Sequence, residues 1–347
     1  MYFRVLLFWF IGGCWASAAW AAPAQQAFTD WQVTCNNQNF CVARNTGQHF
    51  GLVMTIGRSA GAHTDASLRI ELGGMETPLS KRSAIAPRLL FDGHPLKLTS
   101  PRWRIDPLRI MTNDGATVAA FLAQIQDGQA ITLNGGQQII SLKGLKAALL
   151  FIDDRQKRVG SQTAWISKGN NPPLRVPPAP ALKEVVAVNP TPTPLTHEER
   201  SALLDYGNWK MSNIQCSLDP SRREVRIWAL TDNKALMAIS CEAGAYNTVD
   251  LAWLVSRRKP FTSYQVRLRL PFTPGSGETD MELMNAGFDE KNRELTTLAK
   301  GRGMADCGIQ TRWRFDGQRF SLVRYAEEPS CDNWQGPDAW PTLWITR

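Results

Sequence analysis

Hydrophobic and polar residues alternate along most of this chain, and the period is usually two. Trp31, Val33 and Cys35 interleave with Gln32 and Thr34, which predicts a strand with one buried face. Phe50-Leu52-Met54-Ile56 and Leu68-Ile70-Leu72 repeat the pattern between Gly- and Ser-rich turns. Further on, Val225-Ile227-Ala229 and Ala235-Met237-Ile239-Cys241 flank Asp232-Asn233 as a hairpin, and Tyr264-Val266-Leu268-Leu270 alternates with Gln265, Arg267 and Arg269. Arg312 to Phe315, Asp316-Gly317 and Arg319 to Val323 read as another hairpin, its Asp-Gly suiting a type I′ turn. Arg102 to Ile105 and Leu108 to Ile110 read as short strands around Asp106-Pro107.

Helical spacing appears in few places. Ala119 to Ile125 stops at Asp127-Gly128, and Lys143 to Asp153 puts Leu145, Ala148, Leu149 and Ile152 on one stripe. A capping box at Thr196 to Glu199 opens a third helix, with Gly207 as its stop.

Eight prolines between Pro172 and Pro194 interrupt this patterning. Proline donates no backbone hydrogen bond and fixes φ, so Lys168 to Thr196 reads as an extended spacer. The expected organisation is a signal segment over 1–22 and a β-sandwich-like domain with short helices over 23–167. A proline-rich linker follows over 168–196, then antiparallel β regions over 197–273 and 274–347, each stapled by a disulfide. The fold class is mainly β.

The opening apolar run with Arg4 before it and Ala19-Trp20-Ala21 after it is a secretory signal, which places the mature chain in the periplasm without a membrane span. Ile11-Gly12-Gly13-Cys14 resembles a lipobox, so lipid anchoring through Cys14 is the alternative. Six cysteines remain beyond the signal, an even number in an exported chain. Fifteen connectivities are possible, and local pairing is favoured: Cys35–Cys41, Cys216–Cys241 and Cys307–Cys331. Bridges of these spans contribute roughly 2–3.5 kcal/mol each in the chain-entropy view. The absence of a C-x-x-C and the distance of the histidines from the cysteine pairs argue against zinc.

The net charge of +8 is uneven. Between Pro23 and Ser167 there are 15 basic and 10 acidic residues; from His197 onward there are 20 of each.

No recognised catalytic pattern is present. Gly275-Ser276-Gly277 lacks a nucleophile elbow, and Gly301-Arg302-Gly303 lacks the context of a dinucleotide site. His49, His63, His94 and His197 are isolated from any nucleophile motif. Asp153-Asp154, Asp280/Glu282 and Glu327-Glu328 are paired acids that spacing alone does not set across a substrate. The basic-aromatic strands are the better candidates: Arg102 and Arg104 bracket Trp103, and Arg312 and Arg314 bracket Trp313. With each Trp turned inward, the arginines form a row suited to carboxylate or phosphate. Arg257-Arg258-Lys259 reads as a turn. No cofactor is expected, nucleic acid is excluded by export, and the partner class is an envelope protein or an anionic ligand.

The block SLKGLKAALLFIDDRQKRVGSQTAWISKG (141–169), together with MADCGIQTRWRFDGQRFSLVRYAEEPSCD (304–332) and the six-cysteine layout, resembles the exported bacterial family called domain of unknown function 1176. FTDWQVTC, CVARN and the later SLKG are also similar to invasion-associated locus B proteins, which implies a β-rich exported domain linked to host-cell entry. The main resemblance implies an architecture and no activity. The reading is an exported, non-enzymatic binding or structural protein, with an envelope glycan or peptide hydrolase as the alternative and an invasion-associated surface protein as the second.

Overall fold

The computed structural model describes residues 22–63, 65–75, 84–185 and 191–347. The signal segment up to Ala21 and Cys14 therefore lie outside the described residues. The chain is mainly antiparallel β, as its alternation predicts.

The first half is a layered β structure. Its main sheet has seven strands in the order Ala24–Phe28, Trp31–Cys35, Cys41–Asn45, Leu52–Arg58, Ala66–Leu72, Arg109–Thr112 and Arg104–Asp106. Residues two apart share a face, so Trp31, Val33, Ala43, Leu52, Met54, Ile56, Leu68 and Ile70 all point into one core. A second layer closes that core: a four-stranded sheet running Ile139–Ser141, Ala130–Leu133, Leu89–Phe91 and His94–Pro95, with helices α1 (Gly115–Ile125) and α2 (Leu145–Arg155). Phe50, expected to open the run Phe50-Leu52-Met54-Ile56, precedes that strand and is half exposed.

Asp114 caps α1 by accepting from the Thr117 amide. The helix α2 starts at Gly144, whose φ of +92° favours glycine, and a Cβ there would stand 1.9 Å from the Phe28 carbonyl oxygen. The end of α2 carries a buried polar network. Asp153 is fully buried, 2.8 Å from Arg58, and it accepts from the amides of Trp165 and Ile166. Arg158, also buried, donates to the carbonyls of Ser59, Gly61 and His63. Burial and the neighbouring Arg158 depress the Arg58 pKa to about 9, despite Asp153. The 141–169 block is thus largely the wiring of this corner, and Asp153 is structural rather than an open carboxylate.

The proline-rich segment does not hold the halves apart. Val176 and Val185 are buried, the Val185 amide donates to the Arg347 carbonyl, and the Arg347 amide donates to that of Lys183. At the far end Arg257, nearly fully buried, donates to the carbonyls of Thr193, Pro194 and Thr231 and to Glu199. What reads as a basic turn contains the clasp of this segment.

The second half stacks α3 (His197–Ser212) on a sheet of Val225–Ala229, Lys234–Ala243, Thr248–Ser256 and Ser263–Gln265, joined by Leu283–Met284. The other face of that sheet packs on a five-stranded sheet: Gly287–Asp289, Glu294–Lys300, Gly308–Phe315, Phe320–Glu328 and Thr342–Ile345. One apolar cluster draws on both sheets, from Leu230 to Trp344, and so crosses the expected 273/274 boundary. The capping box at Thr196 is present, but α3 runs through Gly207. A Cβ at Gly207 would meet Val225 Cγ1 at 2.5 Å, so this glycine allows close helix–sheet approach instead of ending the helix. The 315–320 connection is also not type I′: Gly317 has positive φ but Asp316 does not, and the Asp316 side chain accepts instead from the amides of Gln318 and Arg319.

All three local disulfides are formed, Cys35–Cys41, Cys216–Cys241 and Cys307–Cys331. The first clips a turn in which the Asn36 side chain accepts from the amides of Gln38 and Phe40. That leaves Asn37 pointing at the second half. Its amide side chain donates to the Ile345 carbonyl and accepts from the Ile345 amide, and its backbone amide donates to Leu343. One asparagine thereby pairs with the edge of the last strand as a neighbouring strand would.

Candidate functional site

The outer face of the main sheet meets the second half. Strand register aligns Thr34, Val42, Gly57 and Ser67 in one row across four strands, and Gln32, Arg44, Thr55, Arg69 and Met111 in the next. At about 4.8 Å per strand the first row is roughly 14 Å long. Its side chains are short and its centre is a glycine, so it forms a trough. The segment from Gln335 to Thr342 roofs it and Phe40 overhangs it, enclosing a cleft of about 560 Å³. Trp340 is buried in the roof, held by its indole N–H to the Gln335 carbonyl. The cleft therefore offers small hydroxyl groups below, apolar surface at the rim and the charged Arg44, Arg69 and Glu328 at its side, a mixture of apolar surface and few polar groups usual in ligand pockets.

At one side of the trough Arg44 forms an ionic clamp between the halves. Its two terminal nitrogens lie 2.9 Å from Glu328 Oε2 and 2.6 Å from Asp332 Oδ2, and all three side chains are about nine-tenths buried or more. Burial raises the Glu328 pKa, with Arg44 and the Ser330 amide opposing it. Burial pushes Asp332 the same way, but its contacts with His49 and Arg44 outweigh that and hold its carboxyl below the ordinary value. His49, itself buried, accepts at Nδ1 from the Gly51 amide and places Nε2 3.5 Å from Asp332.

The two carboxylates do not share a cavity. Glu328 lines the roofed trough, whereas Asp332 and His49 line a separate opening with Gly47, Phe50 and Gln138. Arg44 stands between them. This arrangement lacks the space between carboxyls in which a glycosidase holds substrate or water.

The other sequence candidates scatter. Arg102 precedes its strand and is exposed, and Arg104 lies 3.3 Å from Asp106. Trp103 packs partly buried against Phe121. On Gly308–Phe315, Trp313 is fully buried with Arg312 and Arg314 on the opposite face, as the alternation predicts. Arg314 is committed to Glu294 at 2.8 Å and to the Val185 carbonyl, and Arg312 lies 3.8 Å from Asp338. None of the four lines the roofed cleft. Glu327 is bonded to Tyr325, while Asp280, Glu282, His94 and His197 are exposed. Among the described residues no cluster of His, Cys, Asp and Glu is arranged to hold a metal, and no helix is long and apolar enough to cross a membrane.

Arg44 carried one local signal, a cation on the outward face of an alternating strand. Its partner Asp332 lies 288 residues away, beyond any spacing rule.

A sequence model described as a protein family of unknown function, DUF1176, matches residues 25–347. A protein of Escherichia coli strain K12, described as uncharacterized protein YpfG, is 70% identical over 347 residues, which is 100% of both chains. No solved structure matches.

Proposed function

This chain belongs to the DUF1176 family, and we propose that it is an exported, non-enzymatic binding protein of the bacterial envelope whose ligand occupies the roofed cleft between its halves. The observation that carries this is the trough itself: one row across four aligned strands, Thr34, Val42, Gly57 and Ser67, has only short side chains and a glycine, flanked by Gln32, Arg44 and Arg69 beneath a roof that holds Trp340. Three disulfides and the signal pattern support export to an oxidising compartment. The hydrolase reading needs two carboxyls converging on open space, and Arg44 occupies the space where Glu328 and Asp332 converge.

The test is photo-cross-linking in the native envelope, with p-benzoylphenylalanine at Phe40 over the cleft and, separately, at the fully exposed Leu174, which does not line it. The expected result is a discrete adduct from position 40 alone. Absence of that adduct, combined with turnover of peptidoglycan fragments or peptides that Glu328→Gln abolishes, would sink the binding reading in favour of the hydrolase.

A further inference from the structure

Another groove, of about 340 Å³, lies between the proline-rich segment and the strands of the second half. Four cations line it, Lys183 from the proline-rich segment and Arg267, Arg269 and Arg319 from the β region, with no carboxylate among the lining residues. Its floor is apolar, with Trp344, Phe320 and Leu322 prominent. This concentration stands out because the second half holds equal numbers of acids and bases.

The acids nearby are occupied or distant. Asp316 spends its oxygens on the Gln318 and Arg319 amides and the Ser321 hydroxyl, 3.9 Å from the Arg319 side chain. Asp280 faces Arg269 across a short antiparallel pair, Leu268–Arg269 with Asp280–Met281, without an ion pair within 4 Å among the described residues. Arg347 joins the rim through its backbone, its amide donating to the Lys183 carbonyl and its carbonyl accepting from the Val185 amide. Arg267 and Arg269 alternate with the buried Val266, Leu268 and Leu270, so both guanidinium groups are exposed on one face, and neither has an ion-pair partner among the described residues.

We propose that this groove binds a phosphate ester, its oxygens gripped by Arg267, Arg269 and Arg319 and its apolar body resting on the Trp344 floor. Guanidinium groups bind phosphate bidentately through parallel N–H donors, and Arg267 and Arg269, which have no ion pair among the described residues, keep those donors available. The ester is either the headgroup of an anionic phospholipid or a soluble phosphate compound.

The test uses the full mature chain with two probes: pyrophosphate by calorimetry, and co-sedimentation with vesicles of phosphatidylglycerol and phosphatidylcholine against phosphatidylcholine alone. The variant is Arg267→Gln/Arg269→Gln; Arg104→Gln, an exposed arginine elsewhere, controls for charge. The double variant is expected to weaken phosphate binding by about tenfold or more, since charged hydrogen bonds contribute about 1.5–3 kcal/mol and 1.4 kcal/mol is a decade. Vesicle binding that pyrophosphate displaces identifies a lipid headgroup; pyrophosphate binding without vesicle binding identifies a soluble ester. No saturable binding of either probe, or equal loss in Arg104→Gln, overturns the proposal. The readout is independent of the Phe40 cross-link.

Discussion

Replacing Arg44 by methionine removes the one cation shared by two buried carboxylates while keeping most of the side-chain volume. Breaking a buried ion pair from one side costs about 3–5 kcal/mol, because the abandoned charge stays desolvated. Here two charges are abandoned, so the cost at pH 8 should reach the upper end of that range. The pH dependence distinguishes this from lost packing. In the intact protein Asp332 is depressed, so its stabilisation is present above its unfolded value and lost as pH falls through the folded one. Glu328 is raised, so it favours the folded state most below its unfolded value and progressively less as pH rises through the folded one. Without Arg44, Glu328 keeps only the Ser330 amide and Asp332 keeps His49, so burial weighs more heavily on both carboxyls and protonation relieves it. The penalty should therefore shrink steadily from pH 8 to pH 5. Urea unfolding of the mature protein and of Arg44→Met across that range measures it. A cost below about 0.5 kcal/mol at pH 8, the range of an ordinary surface change, would refute the clamp. A full cost unchanged down to pH 5 would refute its electrostatic origin.

Four further outcomes are expected. Asn37→Ala strands the buried edge of Ile345 and should cost about 2–4 kcal/mol in urea unfolding, from one to two orphaned backbone groups, with faster proteolysis of the carboxyl terminus. Gly207→Ala, a change that ordinarily stabilises a helix interior, should here destabilise by about 1–3 kcal/mol through overpacking against Val225; a gain in midpoint would contradict the close approach. Gly57→Leu should fill the trough and abolish the position-40 adduct, at a cost of about 1–3 kcal/mol in urea unfolding, since a Cβ there already meets the Ser67 hydroxyl at 2.7 Å and the Phe40 ring at 3.4 Å. An intact mass of the exported protein should match a chain beginning close to Pro23 with six cysteines oxidised; six free thiols or a lipidated Cys14 would overturn that reading.

Local structure was legible where a single physical period governed it. Trp31-Val33-Cys35 and Arg312-Trp313-Arg314 alternate because each strand has one face in a core, and the Thr196 capping box satisfies helix amides that no other group reaches. Legibility failed where a residue serves a distant surface. Gly207 looks like a helix stop until Val225 is set against it. Arg257 looks like a turn residue until Thr193, Pro194 and Glu199 come round it. The trough at Gly57 emerges only from the register of four strands. The clamp at Arg44 joins positions that no window of sequence holds together, which is why arginines flanking tryptophan drew attention first.

The bond between Asn37 and Ile345 joins positions 308 residues apart, and this has a bearing on how the molecule is made. The Cys35–Cys41 turn is synthesised long before the strand Thr342–Ile345 that Asn37 pairs with, so the first half lacks that partner until the strand has been made. Truncation before Ile345 would leave every residue of the roofed cleft encoded except Ile345 itself, and yet remove what the first turn is shaped to hold. Its effect would register at the opposite end of the gene product, as a loosened amino-terminal half.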